Sequence, residues 1–205
     1  MKIILFGATG RTGSEILKKA LEDGHEVRAL VRSPEKCEPH KNLVIIQGDV
    51  RKVEDVKRVI VGADAVVSAL GTDKTTTLTD ALPVIIDTME ECGIKRIVTI
   101  GTAGILQSRS EPSLLRYQSN ESNRKLTFAA EEHHKVFELL RTSSLDWTII
   151  CPTYLPEGEA VGNYRVERDY LPFEGKQIST KDTAAYAYEE LTAKKHIGYR
   201  IGISY

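Results

Sequence analysis

The chain begins with Met1-Lys-Ile-Ile-Leu-Phe-Gly-Ala-Thr-Gly-Arg-Thr-Gly13. The apolar run from Ile3 to Phe6 predicts a short buried strand, and glycines at 7, 10 and 13 follow it directly. A helical pattern of apolar residues begins after Gly13. A strand, a glycine turn and a helix start together form an anion site, because free N–H groups and the helix dipole face the anion. We therefore predict that this stretch binds the pyrophosphate of a dinucleotide, in preference to the alternative of an ordinary tight turn.

The rest of the chain alternates between predicted strands and predicted helices. The later strands are predicted at residues 27–31, 43–46, 63–67, 95–100, 146–151 and 199–203. This alternation predicts an α/β protein with a doubly wound, mostly parallel sheet flanked by helices. We expect one domain, residues 1–205, with loops 104–124 and 153–177 and a small C-terminal region on the substrate side. We also expect Thr180 to cap the last helix and Pro83 to lie in the first turn of its helix.

Composition and charge exclude several classes of protein. The 205 residues are 41% hydrophobic and 28% charged, with a formal net charge of −1, which is typical of a globular protein. The chain has no run of basic residues of the kind that would indicate binding to nucleic acid or to an acidic membrane surface. Cys37, Cys92 and Cys151 lack the spacing of a metal site or a disulfide framework, so we expect no metal and free thiols in the cytoplasm. The N-terminal apolar run is too short for a signal peptide or a membrane span.

The end of the second predicted strand indicates which dinucleotide binds. NAD-binding folds of this type carry an acid there, which accepts hydrogen bonds from the ribose 2′-hydroxyl. This chain has Arg32 and Ser33 instead, and a guanidinium suits a 2′-phosphate. Arg11 offers a second positive charge. We predict NADP as the cofactor; the alternative is that both arginines are solvated surface charges.

Other candidate contacts follow predicted strands, where parallel α/β sheets bind ligands. Asp49 binds the adenine amino group, caps the helix that begins near Val53, or does both. Thr102 either faces the nicotinamide or hydrogen bonds to its own backbone. The predicted cofactor contacts are Gly7, Thr9, Gly10, Arg11, Thr12, Gly13, Arg32, Ser33, Asp49, Val50, Ala69, Leu70, Gly71, Thr102, Lys135, Pro152 and Tyr154.

Four stretches together resemble one family. They are residues 7–13, Gly48-Asp49-Val50, residues 145–152 (Leu-Asp-Trp-Thr-Ile-Ile-Cys-Pro) and residues 178–184 (Ile-Ser-Thr-Lys-Asp-Thr-Ala). They look like the atypical short-chain dehydrogenase/reductase proteins, which have an NAD(P)-binding Rossmann fold. The similarity is to the NmrA-like and biliverdin-IXβ-reductase (flavin reductase) branch, and it covers the chain apart from residues 105–123. His134-Lys135-Val136 also resembles a helix segment of the biliverdin-IXβ reductases.

The chain departs from this family at the usual catalytic pair. Most short-chain dehydrogenases carry Tyr-x-x-x-Lys, in which the tyrosine donates a proton and the lysine binds the ribose. Here Glu131 stands four residues before Lys135, so the phenol is absent. Lys135 either holds the nicotinamide ribose or is an exposed helix lysine. Cys151 stands where the family often has an arginine before the proline.

Two functions fit these observations. The first is an NADPH-dependent reductase that passes a hydride over Thr102 and Tyr154 to a flat acceptor, such as a flavin, a quinone or a linear tetrapyrrole. Solvent, His133 or His134 supplies the proton, although adjacent helix residues point about 100° apart and at most one histidine faces the site. The alternative is that both histidines are solvated. The candidate catalytic residues are Thr102, Lys135 and His134.

The second function, implied by the resemblance to NmrA-like proteins, is a non-catalytic NADP-binding redox sensor that docks on a regulatory partner. For either function, the expected partners are a small, planar molecule, no nucleic acid and no membrane. The expected assembly is a monomer or a homodimer.

Overall fold

The structure is a computed structural model that describes residues 1–72, 74–122 and 126–205. Asp73 and residues 123–125 lie outside the described residues, and residues 123 and 124 belong to the end of the predicted loop 104–124. The strands are β1 (Lys2–Phe6), β2 (Glu26–Val31), β3 (Leu43–Gln47), β4 (Ala65–Ser68), β5 (Arg96–Ile100), β6 (Asp146–Pro152), β7 (Arg165–Arg168) and β8 (Tyr199–Ser204). The α-helices are α1 (Arg11–Glu22), α2 (Val53–Ile60), α3 (Thr77–Glu91), α4 (Phe128–Thr142) and α5 (Thr180–Ala193).

The strands form one sheet in the order β3-β2-β1-β4-β5-β6-β8-β7. Strand β1 pairs in parallel with β2 on one side and with β4 on the other. Among the described strands, β7 alone is antiparallel to its neighbour. The prediction of a doubly wound, mostly parallel α/β sheet is confirmed. Because the chain builds outward from β1 in both directions, a crevice forms at the carboxyl ends of β1 and β4, where such sheets bind ligands.

Helices cover both faces of the sheet. Helices α1 and α5 pack on one face, and helices α2, α3 and α4 pack on the other. Along β1, Ile3 and Leu5 pack in the core between the sheet and helices α1 and α5. Ile4 and Phe6 pack in the core on the other face, beneath α2, α3 and α4, as the two-residue period of a strand requires. The continuous apolar run at the start of the chain therefore belongs to a strand that is buried on both faces, as is typical of parallel sheets.

Two predicted helix boundaries were wrong. Helix α3 begins at Thr77, so Pro83 lies inside the helix and not in its first turn. The missing N–H of a proline removes one helical hydrogen bond, but the buried side chains Leu78, Leu82 and Ile85 still anchor the helix in the core. The cap of α5 is Ser179, whose Oγ accepts a hydrogen bond from the Asp182 N–H at 3.0 Å, and Thr180 is the first helical residue.

The cap alternative for Asp49 was also wrong. The residue that precedes α2 is Lys52, which makes no side-chain cap bond. The Asp49 side chain instead accepts a hydrogen bond from the Arg51 N–H at 3.0 Å. Asp49 therefore does not cap α2.

Strand β7 lies within residues 153–177, where the sequence predicted only a loop. Its four residues, Arg165 to Arg168, include one apolar side chain and lie at the sheet edge. A short, charged edge strand is a common way to protect a sheet edge, and it carries no hydrophobic alternation that would reveal it in a sequence.

No described helix combines the length and the apolar composition needed to cross a bilayer.

Candidate functional site

A cleft of about 580 Å³ lies at the carboxyl ends of β1 to β5. Its size falls within the range of about 300–1,000 Å³ that small-molecule sites occupy. Its lining residues include Gly7, Thr9, Gly10, Arg11, Thr12, Arg32, Asp49, Val50, Arg51, Ala69, Leu70, Gly71, Thr72, Thr77, Gly101, His133 and Leu155. The structure thus brings together most of the predicted cofactor contacts.

The glycine turn forms the floor of this cleft. Gly7 has a φ of +81°, which side chains disfavour, and a Cβ there would lie 2.4 Å from the Ala69 carbonyl oxygen. A Cβ on Gly13 would lie 2.0 Å from the Gly7 carbonyl oxygen. Helix α1 begins here without a side-chain cap and without an acidic residue in its first turn. Its free N–H groups and positive dipole end therefore fit a pyrophosphate.

The side of the cleft at β2 and β3 carries charged groups. Arg32 lines it at the end of β2. Arg51 donates to Asp49 from Nη2 to Oδ2 at 2.7 Å and from Nε to Oδ1 at 3.0 Å. These hydrogen bonds from Arg51 lower the pKa of Asp49 to about 2, so Asp49 is a carboxylate that can accept a bond from an adenine amino group. Sequence reasoning missed Arg51, because nothing in its spacing distinguishes it from a surface arginine.

Arg11 lies at the mouth of the cleft and contacts a distant segment. Its Nη1 donates to the Leu155 carbonyl oxygen at 3.2 Å, so the chain after β6 crosses the glycine turn. The buried carboxylate of Asp182 holds this segment by accepting from the Val161 and Gly162 N–H groups at 2.8 and 3.0 Å. Arg11 therefore links the glycine turn to the segment after β6.

A smaller cavity of about 180 Å³ adjoins the end of β5. It starts at Thr102, the residue after Gly101 of the larger cleft. Its lining residues are Thr102, Ala103, Gly104, Arg116, Tyr117, Glu121, Ser122, Leu126, Thr127, Ala129, Ala130 and Thr153. Thr102 Oγ1 also accepts from the Gly104 N–H at 3.4 Å, so the predicted backbone contact is present while the side chain belongs to this cavity.

The two adjacent histidines have different surroundings. His133 lines the cleft, whereas His134 Nδ1 lies 3.0 Å from the Tyr117 hydroxyl, beside the smaller cavity. Of the two histidines that the sequence left open, His133 is therefore the one that lines the cleft, and His134 remains a catalytic candidate beside the smaller cavity. Burial lowers the pKa of His133 to about 4, against the raising effect of the Glu132 carboxylate. His133 is thus neutral at pH 7.

Lys135 is directed away from the cleft. Its Nζ donates to Glu132 Oε1 at 3.0 Å, and its side chain is 62% exposed. Glu132 is buried and accepts from Thr79 Oγ1 at 2.8 Å. This placement matches the alternative of an exposed helix lysine, and Lys135 is not among the lining residues of the cleft.

The remaining candidates lie outside the lining of the cleft. Gly13 is buried beneath the turn, and Pro152 is buried at the end of β6. Ser33 precedes a short 3₁₀ turn, and Tyr154 is 59% exposed. Cys151 is buried, and this burial raises the pKa of its thiol to about 12, so it is a protonated packing residue.

Residues 7–194 match the NAD(P)H-binding family. The chain belongs to this family. The uncharacterized protein YwnB of Bacillus subtilis (strain 168) is 29% identical over 213 residues, which cover 99% of this chain and 98% of YwnB.

Two solved structures share the fold from end to end. A proposed epimerase from Bacteroides thetaiotaomicron has a TM-score of 0.85 and 32% identity, covering 100% of this chain and 96% of the other. A proposed NADH-flavin reductase from Streptococcus pneumoniae TIGR4 has a TM-score of 0.81 and 28% identity, covering 100% and 99% of the two chains. The chain therefore has the fold that these two structures share and belongs to the NAD(P)H-binding family.

Proposed function

We propose that this protein is an NADPH-dependent reductase whose acceptor is flat, such as a flavin, a quinone or a linear tetrapyrrole. The observation that supports this function is the smaller cavity at Thr102, directly beside the dinucleotide cleft. A bound NADPH supplies a hydride at its nicotinamide ring. The protein then has to align an acceptor in the adjoining cavity and keep competing water away.

The residues of the smaller cavity offer apolar and polar contacts to the reacting edge of a flat acceptor. Ala129, Ala130 and Leu126 offer apolar surface, while Thr102 and Thr153 offer hydroxyl groups. These residues come from the end of β5, from the start of helix α4 and the residue Leu126 before it, and from the segment after β6. The described parts of loops 104–124 and 153–177 contribute to the cavity, which supports their proposed substrate-side role.

Tyr117 is the proton donor that this cavity offers. Its hydroxyl contacts His134 Nδ1 at 3.0 Å, and His134 Nε2 lies 3.8 Å from Glu138 Oε1. A proton given by the phenol to the acceptor is replaced through His134, since an imidazole can accept a proton at one nitrogen and release one from the other. Sequence reasoning missed Tyr117, because it lies in a loop without periodicity, 17 residues from its partner.

A steady-state assay with NADPH and FMN, quinones or biliverdin tests this proposal. We expect acceptor-dependent loss of NADPH absorbance, and we expect Tyr117→Phe to slow it for acceptors that require a proton, by about 10²–10⁴-fold, the usual range for general acid catalysis. Tyr188→Phe is the matched control, because its hydroxyl contacts Asp23, away from both cavities. Tight NADPH binding without turnover on any of these acceptors would contradict the reductase and favour an NmrA-like sensor.

We propose NADPH rather than NADH because Arg32 lines the cleft at the strand end where an acidic residue would bind the ribose of NAD. Arg32→Glu should weaken NADPH binding by about 10–150-fold, since hydrogen bonds to charged groups contribute about 1.5–3 kcal/mol. NADH binding should change little. Fluorescence titration of both cofactors measures this, with exposed Lys36→Glu as a control for general charge. Equal losses for NADPH and NADH would refute the 2′-phosphate contact.

A further inference from the structure

His133 lies in the half of the dinucleotide cleft beyond β4. Strands β2 and β3 lie on one side of β1, and β4 and β5 lie on the other. Arg32 and Asp49 mark the first side as the adenosine side, and the glycine turn of β1 takes the pyrophosphate. The half beyond β4 must then hold the nicotinamide riboside, and His133 lines this half together with Thr72, Thr77 and Gly101.

The chemistry of His133 suits a ribose diol. A neutral imidazole has one nitrogen that donates and one that accepts, and each ribose hydroxyl can also do both. The pKa of about 4 keeps this imidazole neutral at physiological pH, which makes it a weak source of protons. Thr77, the residue of α3 that lines the cleft here, is uncharged, and its hydroxyl lies 2.7 Å from the hydroxyl of Thr75.

The neighbours of His133 hold its helix in one orientation. Glu132 is buried and accepts hydrogen bonds from Thr79 of α3 and from Lys135. Val136 and Leu140 pack in the core on the same side of the sheet. These contacts fix the rotation of α4, so that His133 rather than Lys135 lines the cleft.

We propose that His133 is a positioning residue that hydrogen bonds to the hydroxyls of the nicotinamide ribose. It thereby orients the ring at the end of β5, next to the cavity that begins at Thr102. This role rests on the proposed function only in requiring that the protein binds NADPH, and it is independent of turnover.

Binding of two ligands tests this inference. NADPH contains the nicotinamide riboside, and 2′,5′-ADP keeps the adenosine half without it. We expect His133→Leu to weaken NADPH binding about tenfold or more, as for one or two lost hydrogen bonds, and to leave 2′,5′-ADP binding within about twofold. His133→Asn, which keeps a donor and an acceptor, should recover most of the NADPH affinity. Calorimetric titration of the full chain measures all of these values without an acceptor.

His25→Leu is the matched control, because His25 directly precedes β2 at the end of the sheet opposite the cleft and contacts the N-terminal amine of Met1 at 3.2 Å. It should leave the affinity for both ligands unchanged. Equal loss of NADPH and 2′,5′-ADP affinity in His133→Leu overturns the proposal, as does an equal effect of His25→Leu. If His133→Leu does not fold, the smaller His133→Ala provides the same comparison. If NADPH binds but no acceptor is reduced, the reductase proposal fails while the role of His133 stands.

Discussion

Gly13→Ala is expected to weaken NADPH binding by about 100-fold or more, equivalent to about 2.7 kcal/mol. The new Cβ would lie 2.0 Å from the Gly7 carbonyl oxygen and 2.8 Å from its carbon. Both are backbone atoms, so the clash cannot be relieved by a side-chain rotation. The turn must open, which displaces the Gly10 N–H that donates to Gly7 O at 3.0 Å. Fluorescence titration with NADPH measures the loss of affinity.

Two other glycines provide the controls for this substitution. A Cβ on Gly10 would meet the Gly7 carbonyl oxygen at 3.3 Å, and a Cβ on Gly158 would meet no atom within 4 Å. The loss of NADPH affinity should therefore decrease from Gly13→Ala to Gly10→Ala to Gly158→Ala. Urea unfolding of each variant should show the same order, with about 1–3 kcal/mol of destabilisation for an overpacked site. Wild-type affinity in Gly13→Ala would show that the turn does not form the phosphate site.

Arg96→Leu is expected to lower the free energy of unfolding by about 3–5 kcal/mol, the usual result of breaking a buried ion pair from one side. The side chains of Arg96 and Glu190 are only 3% and 1% exposed. Arg96 donates to the Glu190 and Asp146 carbonyl oxygens at 2.6 and 2.9 Å and to Thr148 Oγ1 at 2.8 Å. Its removal leaves these acceptors and the Glu190 carboxylate buried without that donor. Urea denaturation measures the change.

The exposed ion pair of Lys57 and Glu91, 2.9 Å apart, provides the comparison. Lys57→Leu should cost less than about 1 kcal/mol, because solvent screens such pairs. Arg96 is the first residue of β5 and lies at the amino-terminal ends of the strands, opposite the cleft. Folded Arg96→Leu should therefore bind NADPH with wild-type affinity. A cost no greater than that of Lys57→Leu would show that the buried network contributes little to stability.

These two predictions differ in how far the sequence alone supports them. The importance of Gly13 follows from its spacing after an apolar strand, and the structure adds the distance that explains it. The importance of Arg96 has no sequence signal, because an arginine at the start of a strand is usually exposed. Its partner Glu190 lies 94 residues further along the chain.

The amino-acid sequence by itself determined the sheet type, the glycine turn, the NAD(P)H-binding family and the strand ends where the cleft lies. These features depend on patterns within a few residues, such as apolar runs, glycine spacing and helical periodicity. Only the tertiary structure decided that His133 lines the cleft, that His134 contacts Tyr117 and that Arg11 holds Leu155. Such contacts join residues far apart in the chain, 144 residues in the case of Arg11 and Leu155. The choice between two adjacent histidines depends on the rotation of α4, which the packing of Val136 and Leu140 against the sheet sets.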